Sequence, residues 1–163
     1  LGKVYPEKKL VFERDYAKGE EDLVFYCKVL IVEELGDFYN YRMRTDDRIN
    51  SLVREINDLH HRDETRHLAF GRAWAVELFE RYATNWEPAR LAAFQNWLSE
   101  YFTSAWTDFY NPAVYRDAGL GNGYELRQMA LKHPACKAFR EEASDKLVQF
   151  LIKHRFLAGP PSL

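Results

Sequence analysis

Between Ile49 and Ala83 the chain runs without a proline, while Leu52, Val53, Ile56, Leu59, Phe70, Trp74 and Leu78 recur at three- and four-residue spacing. That period belongs to an amphipathic α-helix, which at ~1.5 Å rise per residue would span roughly 50 Å. A helix of that length needs other helices against its apolar stripe, so the chain is constrained to a helical bundle. The same stripe carries His60, Glu64 and His67. Positions i, i+4 and i+7 fall on one face, which sets two imidazoles and a carboxylate together near the middle of the helix, where a bundle is driest.

Ligand chemistry gives that trio a meaning. Neutral imidazole and carboxylate suit a borderline divalent metal such as iron, manganese or zinc, and Glu-x-x-His on a bundle helix is the arrangement of di-metal carboxylate proteins. One helix upstream, the apolar run Val29-Leu30-Ile31-Val32 is interrupted by Glu33 and Glu34. A buried charge is costly unless paired or metal-bound, so a glutamate here is a further ligand candidate. Spacing favours Glu33, and the other should then be a surface charge. The bland alternative is an ordinary hydrogen-bonded polar stripe; three metal-prone side chains on an otherwise apolar face argue against it.

The rest of the chain supports a helical reading. Residues 1–20, with Pro6 and Gly19, read as an irregular lead-in, and residues 21–163 as one helical domain. Acidic residues at Glu20, Glu21 and Asp22 open a first helix that runs to about Met43 and is apolar all round, as in a deeply buried helix. Thr45-Asp46-Asp47 offers an N-cap for the long second helix, which should reach about Ala83. A third helix follows Pro88 and ends at Asn111-Pro112; a turn at Ala113-Val114-Tyr115, a short helix from Tyr124 to Lys132 and a last helix from Ala135 to Phe156 complete the chain. At 163 residues it can bury a sizeable core.

Composition removes several function classes. A net charge of −2, with 23 basic residues interleaved among 25 acidic ones, gives no basic surface for nucleic acid. No apolar run reaches membrane-spanning length and no signal peptide opens the chain. Cys27 and Cys136 form no Cys-x-x-Cys pair, so a reducing compartment, the cytoplasm, is expected.

Two segments carry a family likeness. His60-x-x-Asp63-Glu64-x-Arg66-His67, with Glu33 placed 31 residues before Glu64, resembles the C-terminal half of the ferritin-like diiron arylamine N-oxygenases, the p-aminobenzoate N-oxygenase family. Asn111-Pro112-Ala113-Val114-Tyr115-Arg116-Asp117-Ala118-Gly119-Leu120 is similar to the segment after the bundle in that family. The Asp-Glu-x-Arg-His core is shared with many ferritin-like diiron proteins; His60, one turn earlier, narrows the choice.

The resemblance implies an all-α, ferritin-like helical bundle, of which this chain supplies the second helix pair and a helical C-terminal extension. It implies two iron ions, with manganese an alternative, held by Glu33, His60, Glu64 and His67 among others. Asp63 would support a ligand histidine from another helix, as metal-bound histidines usually require, and Arg66 would be a structural partner of Asp63 or Asp37. The activity implied is O2-dependent oxidation of a small aromatic amine, served by an electron donor. The departure is that the family carries a further glutamate and a further Glu-x-x-His upstream, whereas Glu64 to His67 is the only Glu-x-x-His here. Either upstream helices lie outside this sequence, which the Leu1 start favours, or two copies face each other as a homodimer and each supplies half the set.

Several residues have plainer expectations. His61 points off the ligand face and should sit at the surface, as should His133 and His154. Trp74, Phe94, Trp97 and Phe102 read as core, Cys27 as a small buried hydrophobe, and Tyr26, Tyr39 and Phe70 as candidate walls of a substrate pocket. Two other functions compete with the oxygenase: a ferritin-like metal binder without oxygenase activity, and a helical dimerisation module with a structural metal.

Overall fold

A computed structural model describes residues 15–163, so most of the expected lead-in lies outside the described residues. The described chain is all-α: α1 (Glu20–Met43), α2 (Ser51–Leu78) continued by a π-helical turn (Phe79–Ala83), α3 (Pro88–Asp108), α4 (Pro112–Asp117), α5 (Gly123–Lys132) and α6 (Pro134–Lys153), with no strand among the described residues. The boundaries follow local chemistry. α1 starts behind Gly19, in the left-handed region at φ 76°, and its first turn holds Glu20, Glu21 and Asp22, whose charges suit the helix dipole. Prolines open α3, α4 and α6 at the position where a missing N–H does no harm.

Two helix ends differ from their expected places. The N-cap of α2 is Asn50, whose side chain accepts from the Leu52 N–H at 2.9 Å. Asp46 is engaged elsewhere, accepting from the Arg48 backbone N–H at 3.0 Å and from its guanidinium at 2.8 Å, so the expected cap becomes part of the turn. α6 stops at Lys153 rather than Phe156 because Arg155 turns left-handed, at φ 65°, and returns Phe156 to the core, where its N–H donates to the Leu151 carbonyl at 2.8 Å.

α1 is the central helix. One side of it, with Leu23, Cys27, Leu30, Ile31 and Leu35 buried, packs against α3 and α6 and against the C-terminal end of α2. Phe79, Phe94 and Phe156 meet there, and the Trp106 indole N–H donates to the Ser144 hydroxyl at 2.8 Å, joining α3 to α6 inside the core. Phe94, Trp97 and Phe102 are core residues as expected, and Cys27 is fully buried, which pushes its thiol pKa up and leaves it inert.

The opposite side of α1 is open. α1 is therefore not buried all round: Phe25, Val32 and Tyr41 are exposed. α2 runs antiparallel along α1, and of its 28 residues only Glu64, Ala75 and Leu78 are buried. Leu52, Val53, Ile56, Leu59 and Phe70 face outward. The expectation that mid-helix is the driest place is overturned for the same reason: no described element packs over that face of the α1–α2 hairpin.

Candidate metal centre

α2 brings His60, Glu64 and His67 to one face, and its packing against α1 brings Glu33 to them. One ligand atom each from Glu33, Glu64 and His67 lies within 4.8 Å of the others. Glu64 Oε1 is 2.9 Å from His60 Nε2, and Glu64 Oε2 is 3.3 Å from His67 Nδ1. Glu64 is the buried member, at 8% exposure, and both its oxygens face imidazoles. The two histidines are more open: the side chains of His60 and His67 are 57% and 61% exposed. Burial and, after it, the Glu64 carboxylate push the Glu33 pKa up, while His67 and His60 pull it back.

Glu33 and Glu34 part company in the fold. Glu34 is not the surface charge expected of the unused glutamate. It is half-buried between helices, where its Oε1 accepts from Arg72 Nε at 2.5 Å, and Arg72 in turn lies over the Phe150 ring of α6 at 5.0 Å. Burial pushes the Glu34 pKa up and Arg72 pulls it down. Glu34 is thus neutralised by an arginine, whereas Glu33 shares its space with Glu64 and two histidines. The cluster of Glu33, Glu64 and His67 fits a divalent metal for that reason, since it places two carboxylates together with an imidazole in place of a cationic side chain, and His60 stands outside the cluster, joined to it through Glu64 Oε1.

Other site residues fall as follows. Asp63 and Arg66 pair with each other one turn apart on α2, both exposed. Asp37 takes a different partner from the one expected for it. It is buried and accepts from His61 Nδ1 at 2.8 Å, so His61 is held in the α1–α2 interface, with Tyr41 edge-on at 5.3 Å, and is not a surface residue. His133 caps α6, its Nδ1 accepting from the Ala135 N–H at 3.2 Å. Of the candidate pocket walls, Phe70 stacks on Trp74 and Tyr26 meets Trp74 edge-on, both with centroids 6.3 Å apart. Tyr39 is taken up by Phe109, stacked at 5.4 Å.

Sequence reasoning missed Asn40. Its amide nitrogen lies 3.2 Å from His60 Nδ1, the ring nitrogen that faces away from Glu64. The spacing was readable, since Asn40 is two turns beyond Glu33 on the same face of α1. An amide at that point can serve either ring tautomer by presenting its nitrogen or, after rotation, its oxygen.

The family model described as P-aminobenzoate N-oxygenase AurF matches residues 8–154, nearly the whole chain. The chain belongs to this family. No curated protein and no solved structure matches it. Membership in the AurF family makes the all-α architecture a ferritin-like bundle and places the chain in a diiron oxygenase family. Among the described residues no helix is long and apolar enough to cross a membrane.

Proposed function

We propose that this AurF-family chain is a non-haem diiron N-oxygenase acting on an arylamine or a similar nitrogen substrate, with Glu33, His60, Glu64 and His67 as metal ligands. The observation that carries the reading is the buried Glu64 carboxylate with an imidazole on each oxygen and Glu33 beside it. When bound, two iron ions would supply the O2 chemistry: one oxygen atom goes to the amine nitrogen and the other leaves as water, with two electrons and two protons drawn from a donor.

The chain's own residues do the holding and the shaping. Glu64 orients both histidines, Asn40 fixes the far nitrogen of His60, and the His61–Asp37 bond ties α1 to α2 beside the site. Phe70, Trp74 and Tyr26 form an aromatic wall one to two turns beyond His67, suited to a flat ring. Asp63 and Arg66 act outside the ligand set, as a charge pair that is free to re-pair when another helix approaches. The two cysteines are free, in keeping with a cytoplasmic protein.

A second reading, a helical dimerisation module with a structural metal, draws on the openness of His60 and His67. Glu64→Ala separates the two. In an oxygenase this variant loses metal and arylamine turnover together. In a structural module it loses metal and melting temperature, and the wild type turns over no amine. A ferritin-like metal binder would oxidise iron without oxidising the amine.

A further inference from the structure

α1 and α2 meet in an antiparallel register that can be followed rung by rung. Tyr26 meets Trp74, Glu33 meets Glu64 and His67, Asp37 meets His61 and Asn40 meets His60, the numbers rising on α1 as they fall on α2. The rungs differ in stiffness. The two oxygens of the Asp37 carboxylate lie 2.8 and 2.9 Å from the same His61 Nδ1, and the Tyr41 ring stands edge-on to that imidazole at 5.3 Å. Asp37 is buried on a stem one carbon long and the imidazole is rigid, so this rung has little slack. The Glu34–Arg72 pair joins the same helices through two long side chains, which can follow a displacement.

Building on the proposed metal site, we infer that Asp37 and His61 are positioning residues: their pairing pins the register of the α1–α2 hairpin and thereby sets Glu33 against Glu64. Asp37 is one turn beyond Glu33 on α1, and His61 is about one turn before Glu64 on α2, so the pair stands beside the juxtaposition it controls. The tolerance there is small. Ligand atoms of Glu33, Glu64 and His67 lie within 4.8 Å of one another, and sliding α1 by one turn, about 5.4 Å, would separate them. Turning α1 by one residue, about 100°, would carry Glu33 off the shared face.

Apolar contacts along the seam cannot make this choice alone, because they are non-directional and a slipped hairpin would keep many of them. It would not keep Asp37 satisfied. A buried carboxylate deprived of its donor is costly, so registers other than the native one are penalised. The same pair sorts the adjacent histidines: with His61 held by Asp37, His60 is the imidazole left to face Glu64, at 2.9 Å. A polar pair that specifies alignment can be exchanged for apolar residues without loss of stability, but not without loss of alignment.

Register and metal are measured separately. Nitroxides on Phe25→Cys and Ile56→Cys, both exposed and outside the ligand set, report the axial offset of the two helices by double electron–electron resonance in the metal-free chain. Cys136→Ser removes the half-buried thiol, and Cys27 is fully buried. Isothermal titration of Mn(II) into the unlabelled chain reads affinity. Asp37→Leu with His61→Leu should melt at or above the wild-type temperature, show a shifted or broadened distance and bind Mn(II) about 10-fold or more weakly. The exchanged pair, Asp37→His with His61→Asp, should recover both distance and affinity. Asp37→Asn keeps an acceptor for the His61 N–H and should match the wild type, whereas Asp37→Ala should not; that contrast serves if the leucine pair does not fold. An unchanged distance in the leucine pair and in Asp37→Ala overturns the inference, whatever the melting temperature does, and so does a changed distance with unaltered Mn(II) affinity. A wild-type chain that binds no Mn(II) removes the proposed metal site, and the distance then decides the register by itself.

Discussion

Glu64 Oε1 lies 2.9 Å from Nε2 of His60, one helical turn before it on α2. The carboxylate and the imidazole thus already hold the separation that a shared proton or a shared metal requires, and α2 itself sets that spacing. The rest of the centre depends on how α1 meets α2, since Glu33 and Asn40 both come from α1.

Asn40 tests that dependence. Removing the amide leaves His60 Nδ1 without its partner while every ligand remains, so Asn40→Ala should weaken Mn(II) or Fe(II) binding by about 10-fold, at the lower end of the 10- to 100-fold typical of outer partners. Isothermal titration of the metal against wild type and variant reads the change. Unaltered affinity would mean that the histidine is oriented by Glu64 alone.

The two adjacent glutamates should separate cleanly. Glu33→Gln removes a proposed ligand and should lower metal affinity by more than 100-fold, roughly the upper bound for an outer partner, with little effect on folding. Glu34→Gln leaves Arg72 half-buried without its charge partner and should cost about 1–3 kcal/mol of stability while sparing metal affinity. Urea unfolding beside metal titration gives both readings. An equal loss of metal in the two variants would reverse the assignment.

The pH dependence has a definite sign. Burial and Glu64 raise the Glu33 pKa in the fold, so the folded state binds the proton more tightly than the unfolded chain does. Ionised Glu33 therefore destabilises the metal-free protein above the unfolded pKa, and that penalty is relieved as pH falls through the folded value. With Glu33 as the proposed ligand, metal would remove the penalty by taking the carboxylate, and protons would compete for the same oxygen. The rise in melting temperature on adding Mn(II) should be largest near neutral pH and should shrink toward pH 5. A rise that is flat across that range would exclude Glu33 as a ligand.

Much of this centre is legible in the sequence because it is built on one helix. His60, Glu64 and His67 share a face by periodicity alone, the start of α1 follows from its acidic first turn, and the length of α2 follows from the absence of proline. What escaped reading depends on pairings between helices. Glu34 looked like the spare glutamate because its neutraliser, Arg72, is 38 residues away, and His61 looked superficial because Asp37 is on α1. Nor does periodicity distinguish a stripe that is covered from one that waits to be covered, so a hairpin with an open apolar face reads as a buried one. The Asn50 cap was missed because Asp46 found a closer donor in Arg48.

The hairpin that carries the site is also held at its far end, by Gly19 against Tyr82. A Cβ on Gly19 would run into the Tyr82 ring, and the residue sits at φ 76°. Gly19→Ala should therefore destabilise on two counts, about 1 kcal/mol or more for the left-handed backbone and about 1–3 kcal/mol for displacing the ring. Urea unfolding should show a total loss of about 2–4 kcal/mol, with metal stoichiometry unchanged because the ligands lie several turns away. Tyr82→Ala removes the clash but not the backbone strain. Adding Gly19→Ala to Tyr82→Ala should thus cost only the backbone share, and a double-mutant cycle measures the difference. If Gly19→Ala costs as much in both backgrounds, the contact does not restrain the start of α1 and the φ requirement alone explains the glycine.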